Sequence, residues 1–182
     1  MKLSELFREH GVLTTYKKDQ HIFKQGDKDE NLYFIQSGFL KAYYLTTNGK
    51  EQVKSFLSPN SVMGSLLSCY SKSLCSFSLI SLEVATLIKL PFDFLLQHSQ
   101  QDLALANELQ RQLLTLAMKK EKREYEFLCL PAEQRYIQLK NDTPELFTKV
   151  TQNDIAHYLG ITNVALSRIK KRVAWDGSSN IK

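Results

Sequence analysis

The chain has 182 residues, of which 43% are hydrophobic and 24% are charged, and its formal net charge is +5. This length and composition fit one or two globular domains and exclude a fibrous or a disordered chain. There is no run of 18 apolar residues, and the first residues lack the apolar core of an export signal, so we expect a cytoplasmic protein without a membrane partner. The three cysteines, Cys69, Cys75 and Cys129, form no Cys-x-x-Cys pair, which fits a reducing compartment.

The first hundred residues are predicted to form one short helix and then strands. Residues 3–10 place three apolar side chains on one helical face, and residues 14–92 alternate short apolar runs with turn signals. The turn signals fall at regular intervals, at Gly26-Asp27, Ser37-Gly38, Asn48-Gly49 and Pro59-Asn60. This spacing predicts a small antiparallel sandwich or barrel. Asn48-Gly49 predicts a hairpin with a type I′ turn, and Val84 to Leu90 alternate in a last strand that Pro91 closes.

Residues 100–130 have the periodicity of one long helix. Two mostly apolar heptad rows run along it: Ala106, Leu113, Lys120 and Phe127 in the first, and Leu109, Leu116, Arg123 and Leu130 in the second. Such a seam predicts pairing with a second copy of the chain, although a single helix lying across the barrel is the alternative. Because Lys120 and Arg123 interrupt the seam, we expect pairing on Ala106, Leu109, Leu113 and Leu116, with Phe127 and Leu130 contacting something else.

A second helix is predicted to begin at Pro131, because proline is tolerated in the first helical turn. This places the domain boundary near residues 128–131. The predicted domains are a β-roll at 1–99, a dimerisation helix at 100–130 and a DNA-binding domain at 131–182. Residues 163–182 contain five basic residues and one acidic residue, which fits a polyanionic partner.

Residues 151–172, TQNDIAHYLGITNVALSRIKKR, have the pattern of a helix-turn-helix. With Gln152 as position one, a small residue, Ala156, stands at position five, and Gly160 stands at position nine in the turn. Five apolar positions attach the two helices to their domain, Ile155, Leu159, Ile161, Leu166 and Ile169. The alternative, an ordinary pair of antiparallel helices, would not require the second helix to be so basic.

The second helix of this motif supplies the predicted DNA contacts. Thr162 is expected to cap it, and the residues left facing outward are Asn163, Val164, Ser167, Arg168 and Lys171. Arg168 has the geometry to read guanine O6 and N7, Asn163 to read adenine or hold phosphate, and Val164 to meet a thymine methyl group. The backbone-positioning contacts are assigned to Thr151, Gln152, Lys170, Lys171 and Arg172.

Taken together, the chain resembles the Crp/Fnr superfamily of bacterial transcription regulators. Residues 15–67 are similar to its cyclic-nucleotide-binding β-roll, with glycines at Gly26, Gly38, Gly49 and Gly64, and residues 152–172 are similar to its helix-turn-helix. The resemblance implies an α+β fold with a jelly-roll-like antiparallel β-roll, a long dimerisation helix and a C-terminal helix-turn-helix of winged-helix type. The residues after the recognition helix, VAWDGSSNIK, leave little room for a wing, so we expect either a reduced or absent wing or a short tail anchored by Trp175.

The resemblance also implies partners and a mode of action. A member of this family acts as a homodimer on a palindromic site in double-stranded DNA, with RNA polymerase as a further partner. Its β-roll senses a small-molecule effector. We therefore expect a sequence-specific transcription regulator whose effector is unidentified.

The departures from the family pattern concern the effector. Members that bind cyclic AMP have Gly-Glu-Leu in the phosphate cassette and, about ten residues later, Arg followed by Ser or Thr. This chain has Gly64-Ser65-Leu66 and then Cys75-Ser76, so both charged ligand groups are absent. Burying the phosphate without them would be costly, and cyclic AMP is therefore disfavoured. A less charged effector at these five residues, or a roll that is only a scaffold, are the remaining interpretations, and Lys72 is interpreted as a solvated loop residue.

Other chemistries find little support in the sequence. It contains no glycine-rich phosphate loop, no metal-spaced cluster and no nucleophile beside a base, so an enzyme is not expected. Three scattered cysteines do not supply an iron–sulfur cluster, and no cofactor or metal site is predicted. Cys69 and Cys75 are interpreted as buried inert thiols rather than a redox switch. The competing function is a small-molecule-binding module whose helix-turn-helix no longer binds DNA; a steep salt dependence of DNA affinity would distinguish a working regulator.

Overall fold

In the computed structural model, residues 2–179 are described, with side chains described as far as Ala174. The chain begins with helix α1 (Leu3–His10), as the sequence predicts, and buries Leu3, Leu6 and Phe7. The Glu5 carboxylate accepts from the backbone N–H of Lys2 at 2.8 Å. That bond satisfies a donor that precedes the first helical turn.

Eight strands follow α1 and form two four-stranded antiparallel sheets. The strands are β1 (Val12–Tyr16), β2 (His21–Phe23), β3 (Asn31–Ser37), β4 (Leu40–Leu45), β5 (Glu51–Leu57), β6 (Val62–Met63), β7 (Ser78–Ser81) and β8 (Ala85–Pro91). One sheet has the order β1-β8-β3-β6 and the other β2-β7-β4-β5. This arrangement confirms the predicted antiparallel β-roll.

Two hydrophobic clusters use opposite faces of the β3–β8 pair. Ile35 and Leu87 lie opposite each other in the register and belong to the cluster between the sheets. The neighbouring pair, Phe34 and Ile88, faces the cluster that α1 completes. Because successive residues of a strand point to opposite faces, a strand covered on both sides must be apolar at consecutive positions.

The turn signals are confirmed, with one difference in turn type. Gly26, Gly38, Gly49 and Asn60 all have positive φ. The hairpin between β4 and β5 is present, but of its two central residues only Gly49 has positive φ, so the predicted type I′ turn is wrong. A 2.9 Å bond from the Gly49 N–H to the Thr46 carbonyl and a 2.9 Å bond from the Thr46 N–H to the Lys50 carbonyl make the loop one residue longer than a two-residue hairpin.

Seven helices account for the remaining secondary structure of the described residues. They are α2 (Leu66–Ser71), α3 (Phe92–Ser99), α4 (Leu103–Cys129), α5 (Ala132–Asp142), α6 (Leu146–Lys149), α7 (Gln152–Leu159) and α8 (Asn163–Ser179). Helices α2 and α6 were not predicted, because six and four residues are too few to show a helical period. The chain thus has the predicted α+β fold, with one long helix and a helix-turn-helix.

The chain divides into two compact units, Met1–Leu116 and Ala117–Lys182. The division falls inside α4, whereas the sequence places the domain boundary at residues 128–131. Helix α8 continues through Ser179, so residues 173–179 form a helix and not a wing. The side chain of Trp175 and residues 180–182 lie outside the described part of the chain. None of the helices described combines the length and the apolar character needed to cross a membrane.

Candidate nucleic-acid interface

The first helix of the motif, α7, is fixed at its start by a reciprocal cap. The Thr151 hydroxyl accepts from the Asp154 N–H at 3.1 Å, and the Asp154 carboxylate accepts from the Thr151 N–H at 3.3 Å. A 2.6 Å bond from the Thr151 hydroxyl to the same carboxylate closes the arrangement. The capping box that the sequence predicts is therefore present, and Thr151 is held by Asp154 within the chain.

The turn between α7 and α8 depends on the two small residues that the pattern requires. Ala156 is fully buried, and Gly160 takes the left-handed conformation with φ of 68°. The N–H of Ile161 donates to the Ala156 carbonyl at 3.0 Å across this turn. Thr162 then caps α8, because its hydroxyl accepts from the Ala165 N–H at 3.2 Å. These contacts confirm the helix-turn-helix geometry.

The apolar positions of the motif form the core of the second unit. Ile155, Leu159, Leu166 and Ile169 are buried beside Tyr136 of α5, and Ile161 is partly buried against the same cluster. Leu166 and Ile169 are buried on one side of α8, so the opposite side of this helix is exposed to solvent. The opposite face is thereby fixed without any DNA present.

That outer face consists of four exposed residues at helical spacing. They are Val164, Ser167, Arg168 and Lys171, at i, i+3, i+4 and i+7. Val164 is 61% exposed. Within the described residues, neither Arg168 nor Lys171 has an intramolecular ion-pair or hydrogen-bond partner. Two cations and an apolar contact are therefore presented together along about two turns, which suits the edge of a major groove.

The other predicted contact residues have partners inside the protein. Their bonds are Asn163 Nδ2 to Asn153 Oδ1 at 2.8 Å, Lys170 Nζ to Gln152 Oε1 at 2.9 Å, and Arg172 Nη2 to Glu133 Oε2 at 2.7 Å. The first two bonds join α7 to α8, and the third joins α8 to α5. These side chains orient the motif, and the contacts with DNA predicted for them would compete with these bonds.

Four of the residues predicted for dimerisation lie along α4 in the first unit. Ala106, Leu109 and Leu116 are half-buried, and Leu109 packs against the cluster that α1 completes. Leu113 is 47% exposed. Its neighbour Leu114 is 56% exposed. An apolar face is therefore available on this part of α4, and its pairing with a second copy stays a prediction.

The residues predicted for effector binding are used to build the roll. Ser65 is buried and its hydroxyl caps α2 by accepting from the Ser68 N–H at 3.5 Å. A β-carbon at Gly64 would lie 2.7 Å from the backbone carbonyl oxygen of Asn31, so the chain approaches β3 too closely for another residue. Leu66 is 38% exposed on α2 and Ser76 is half-buried.

Cys75 and Lys72, near the same cassette, are also engaged within the fold. Cys75 is buried, its N–H donates to the Asp27 carbonyl and its carbonyl accepts from the Gly26 N–H, both at 2.8 Å. Lys72 pairs with Glu30 at 2.7 Å and Asp93 at 2.8 Å, so it is a surface residue directed away from a ligand role. Among the side chains described, no three His, Cys, Asp or Glu residues are placed to hold a metal ion.

Two arginines outside the predicted site hold the end of α7. Arg123 of α4 and Arg135 of α5 donate to the carbonyl oxygens of Tyr158 and Leu159, each at 3.0 Å. Arg123 carried a signal, since it interrupts the heptad seam. Arg135 carried none, because its contact depends on how α5 folds back after Pro131.

Comparison with known proteins agrees with this architecture. Residues 13–102 match the family model for the cyclic nucleotide-binding domain. The chain is 32% identical over 173 residues to the anaerobic regulatory protein of Aggregatibacter actinomycetemcomitans, covering 86% of this chain and 64% of that protein. It is 27% identical over 179 residues to the fumarate and nitrate reduction regulatory protein of Salmonella typhi, covering 91% and 70%. The solved structure of FixK2 from Bradyrhizobium japonicum has the same fold, with a TM-score of 0.78, 18% identity and coverage of 92% and 86%.

Proposed function

The chain belongs to the Crp/Fnr family, and from this premise we propose that it is a cytoplasmic, sequence-specific DNA-binding transcription regulator rather than an enzyme. The relatives named above are regulatory proteins. The chain spans 64% of the length of the first of them, so the proposal rests on the chain's own residues as well. The observation that carries it is the exposed face of α8, where Arg168 and Lys171 stand free among the described residues on a helix held in helix-turn-helix geometry.

Arg168 is proposed to read a guanine through O6 and N7, and Lys171 to contact a phosphate. Val164 is proposed to meet a thymine methyl group, one turn earlier on the same face. Asn163, Lys170 and Arg172 act mainly by orienting α8, since each is already bonded within the unit. The expected result is one short half-site read by one helix.

One recognition helix makes few base contacts, so the active form is proposed to be a homodimer on a palindromic site. The apolar face of α4 around Leu113 supplies the pairing surface. RNA polymerase is the further partner that a regulator of this family would engage. The recognition helices of the two copies would then meet half-sites about one helical turn apart.

The roll is proposed not to bind cyclic AMP. In this chain the Ser65 hydroxyl accepts from α2 and the Cys75 N–H is bonded to Asp27, and neither side chain supplies the carboxylate or the guanidinium that the family uses for the nucleotide. Lys72, the basic residue beside the cassette in sequence, is paired with two surface carboxylates and does not replace the missing arginine. An uncompensated phosphate there would meet a buried thiol and apolar side chains.

The experiment is selection of bound duplexes from a random DNA pool by the purified chain, with Arg168→Ala beside it. Arg8→Ala is the matched control, because Arg8 is an exposed arginine on α1, outside the unit that contains the motif. We expect the unaltered chain and Arg8→Ala to select the same two-fold-symmetric site. Arg168→Ala should lose the preference for one guanine in each half-site. Selection of no site, together with salt-independent binding, would favour the small-molecule-binding module instead.

A further inference from the structure

The C-terminal end of α7 is held by side chains from two other helices. Arg123 of α4 donates from Nη2 to the Tyr158 carbonyl at 3.0 Å. Arg135 of α5 donates from Nη2 to the Leu159 carbonyl at 3.0 Å. These carbonyls belong to the last turn of α7, where helix carbonyls lack an intrahelical partner and carry partial negative charge. Two positive charges therefore meet the end of the helix at the turn of the motif.

Arg135 also contacts the residue that follows the end of α4. Its Nη1 donates to the Leu130 carbonyl at 2.7 Å, immediately after the end of α4. One planar guanidinium thus bridges the ends of α4 and α7. The two Nη atoms fix its orientation, since Nε is buried without a hydrogen-bond partner among the described residues. An ammonium group has no such fork and cannot join two carbonyls in a fixed plane.

Aromatic rings hold both guanidinium groups in place. The Arg123 guanidinium lies 3.9 Å from the Tyr158 ring centroid and 4.8 Å from that of Phe127. The Arg135 guanidinium lies 4.7 Å from the same Phe127 ring. Phe127 therefore contacts both cations and also touches the site of Gly160, where a β-carbon would be 2.8 Å from its Cε1. We call Arg123, Phe127 and Arg135 the α4–α7 joint.

We propose that Arg123 and Arg135 are positioning residues that fix the direction of α7, and with it α8, relative to the end of α4. Neither residue lies on the exposed face of α8, so neither is assigned a DNA contact. In a dimer that pairs through α4, this joint sets the separation and angle of the two recognition helices. The inference rests on the proposed function, because it concerns how a dimer measures the distance between half-sites.

The proposal predicts different effects on two affinities, the affinity for a single half-site and the affinity for the full palindrome. A single half-site requires one intact helix-turn-helix, which its own caps and core hold together. A full palindrome also requires both helices at the right separation, so it depends on the joint. Loosening the joint should therefore reduce discrimination between correct and altered spacing and leave half-site affinity unchanged.

The test uses the full chain and three kinds of duplex built from the selected site. The first is the palindrome, the second has the same half-sites with the spacing changed by one or two base pairs, and the third is a single half-site. Dissociation constants are measured for the unaltered chain, Arg135→Lys, Arg123→Lys and the control Arg8→Lys. We expect the affinity ratio between correct and altered spacing to fall about tenfold in both joint variants, with half-site affinity within about twofold. Arg8→Lys should match the unaltered chain.

Three other outcomes overturn the inference. An unchanged spacing ratio in two folded joint variants would show that the bonds do not set the separation. An equal loss on half-site and palindrome would show a structural role only, and thermal unfolding of each variant identifies that case. If the unaltered chain binds no duplex, the proposed function fails first; if it binds and the ratio is unchanged, only the joint is wrong.

Discussion

The ring of Phe127 occupies the space into which a side chain at Gly160 would project, with Cε1 2.8 Å from the ideal β-carbon position. Gly160 also has φ of 68°, a conformation that L-residues adopt at a cost of about 1–2 kcal/mol. The turn of the helix-turn-helix thus requires glycine for two separate reasons. One is the backbone conformation and the other is the close approach of α4.

Gly160→Ala should therefore destabilise the second unit more than the backbone cost alone. Gly49→Ala is the matched control, because Gly49 has φ of 77° and no atom lies within 4 Å of its β-carbon position. We expect about 1 kcal/mol for Gly49→Ala and about 2–3 kcal/mol for Gly160→Ala, measured by urea unfolding. Adding Phe127→Leu to Gly160→Ala should recover part of the difference. Equal costs for the two glycine variants would contradict the steric contribution.

Lys171 and Arg172 are neighbours in sequence but should contribute differently to DNA binding. Lys171 has no partner within the described part of the chain, whereas Arg172 donates from Nε to Glu133 at 2.8 Å. Lys171→Ala should reduce the slope of log affinity against log salt by about one, since one phosphate contact is lost. Arg172→Ala should change the slope less and cost up to about 1 kcal/mol of stability, because its ion pair is partly exposed. Binding titrations at four salt concentrations and thermal unfolding separate the two, and identical slopes would refute the distinction.

The sequence predicts the helix-turn-helix in detail because its constraints are local. The cap at Thr151, the small residue at Ala156 and the glycine at Gly160 act within one short stretch. The joint that holds the motif to α4 was not predictable in the same way. Arg135 meets Leu159 across 24 positions, and only the turn at Pro131 brings them together.

In the β-roll, the turns could be predicted from the sequence but the short helix could not. Turn positions such as Gly38 and Asn60 follow from residues that accept positive φ. Helix α2 has six residues, so its apolar and polar positions could not reveal a period. The effector residues were chosen by resemblance, and the structure shows Ser65 and Cys75 bonded to the roll itself.

Cyclic AMP should not stabilise this chain. A ligand at 100 times its dissociation constant raises the free energy of unfolding by about 2.7 kcal/mol, which thermal unfolding detects readily. With Ser65 engaged in the α2 cap and Cys75 buried, we expect no change in Tm with cyclic AMP at about 1 mM. This concentration is about 100 times a dissociation constant of about 10 μM, so even a site of that affinity would raise the free energy of unfolding by about 2.7 kcal/mol. A concentration-dependent rise in Tm would show that the pocket binds the nucleotide without the two charged groups.

The three free cysteines should differ sharply in reactivity. Burial raises the pKa of the Cys69 thiol to about 12, whereas Cys129 is exposed. The thiolate is the reactive form, so iodoacetamide at pH 8 should label Cys129 first and Cys69 only on unfolding. Mass spectrometry of a labelling time course measures this. Rapid labelling of Cys69 in the folded chain would contradict its assignment as an inert thiol.

The same pKa shift makes stability depend on pH at the alkaline end. The thiol of Cys69 has an ordinary pKa of 9.0 and a raised one in the fold, so above pH 9 the unfolded chain binds fewer protons than the folded chain. The stabilising contribution is therefore complete below pH 9 and declines between about pH 9 and 12. Tyr33 acts in the same direction, because burial and the Asp29 carboxylate raise the pKa of its hydroxyl. Urea unfolding at pH 8 and pH 10.5 should show the decline, and a flat profile would contradict it.

Val164 offers a direct test of base readout by α8. It is 61% exposed at the start of the face that carries Arg168 and Lys171. A carboxylate at this position can accept from cytosine N4, which valine cannot, and a good contact of this kind is worth about 1–3 kcal/mol of discrimination. Val164→Glu should therefore change the preferred base at one position of each half-site from thymine to cytosine, while the guanine read by Arg168 is retained. Selection from a random pool measures both positions at once, with Val164→Ala as the control that removes the methyl contact without adding an acceptor. If Val164→Glu and Val164→Ala select the same site, residue 164 does not face a base, and the assigned orientation of α8 in the groove is wrong.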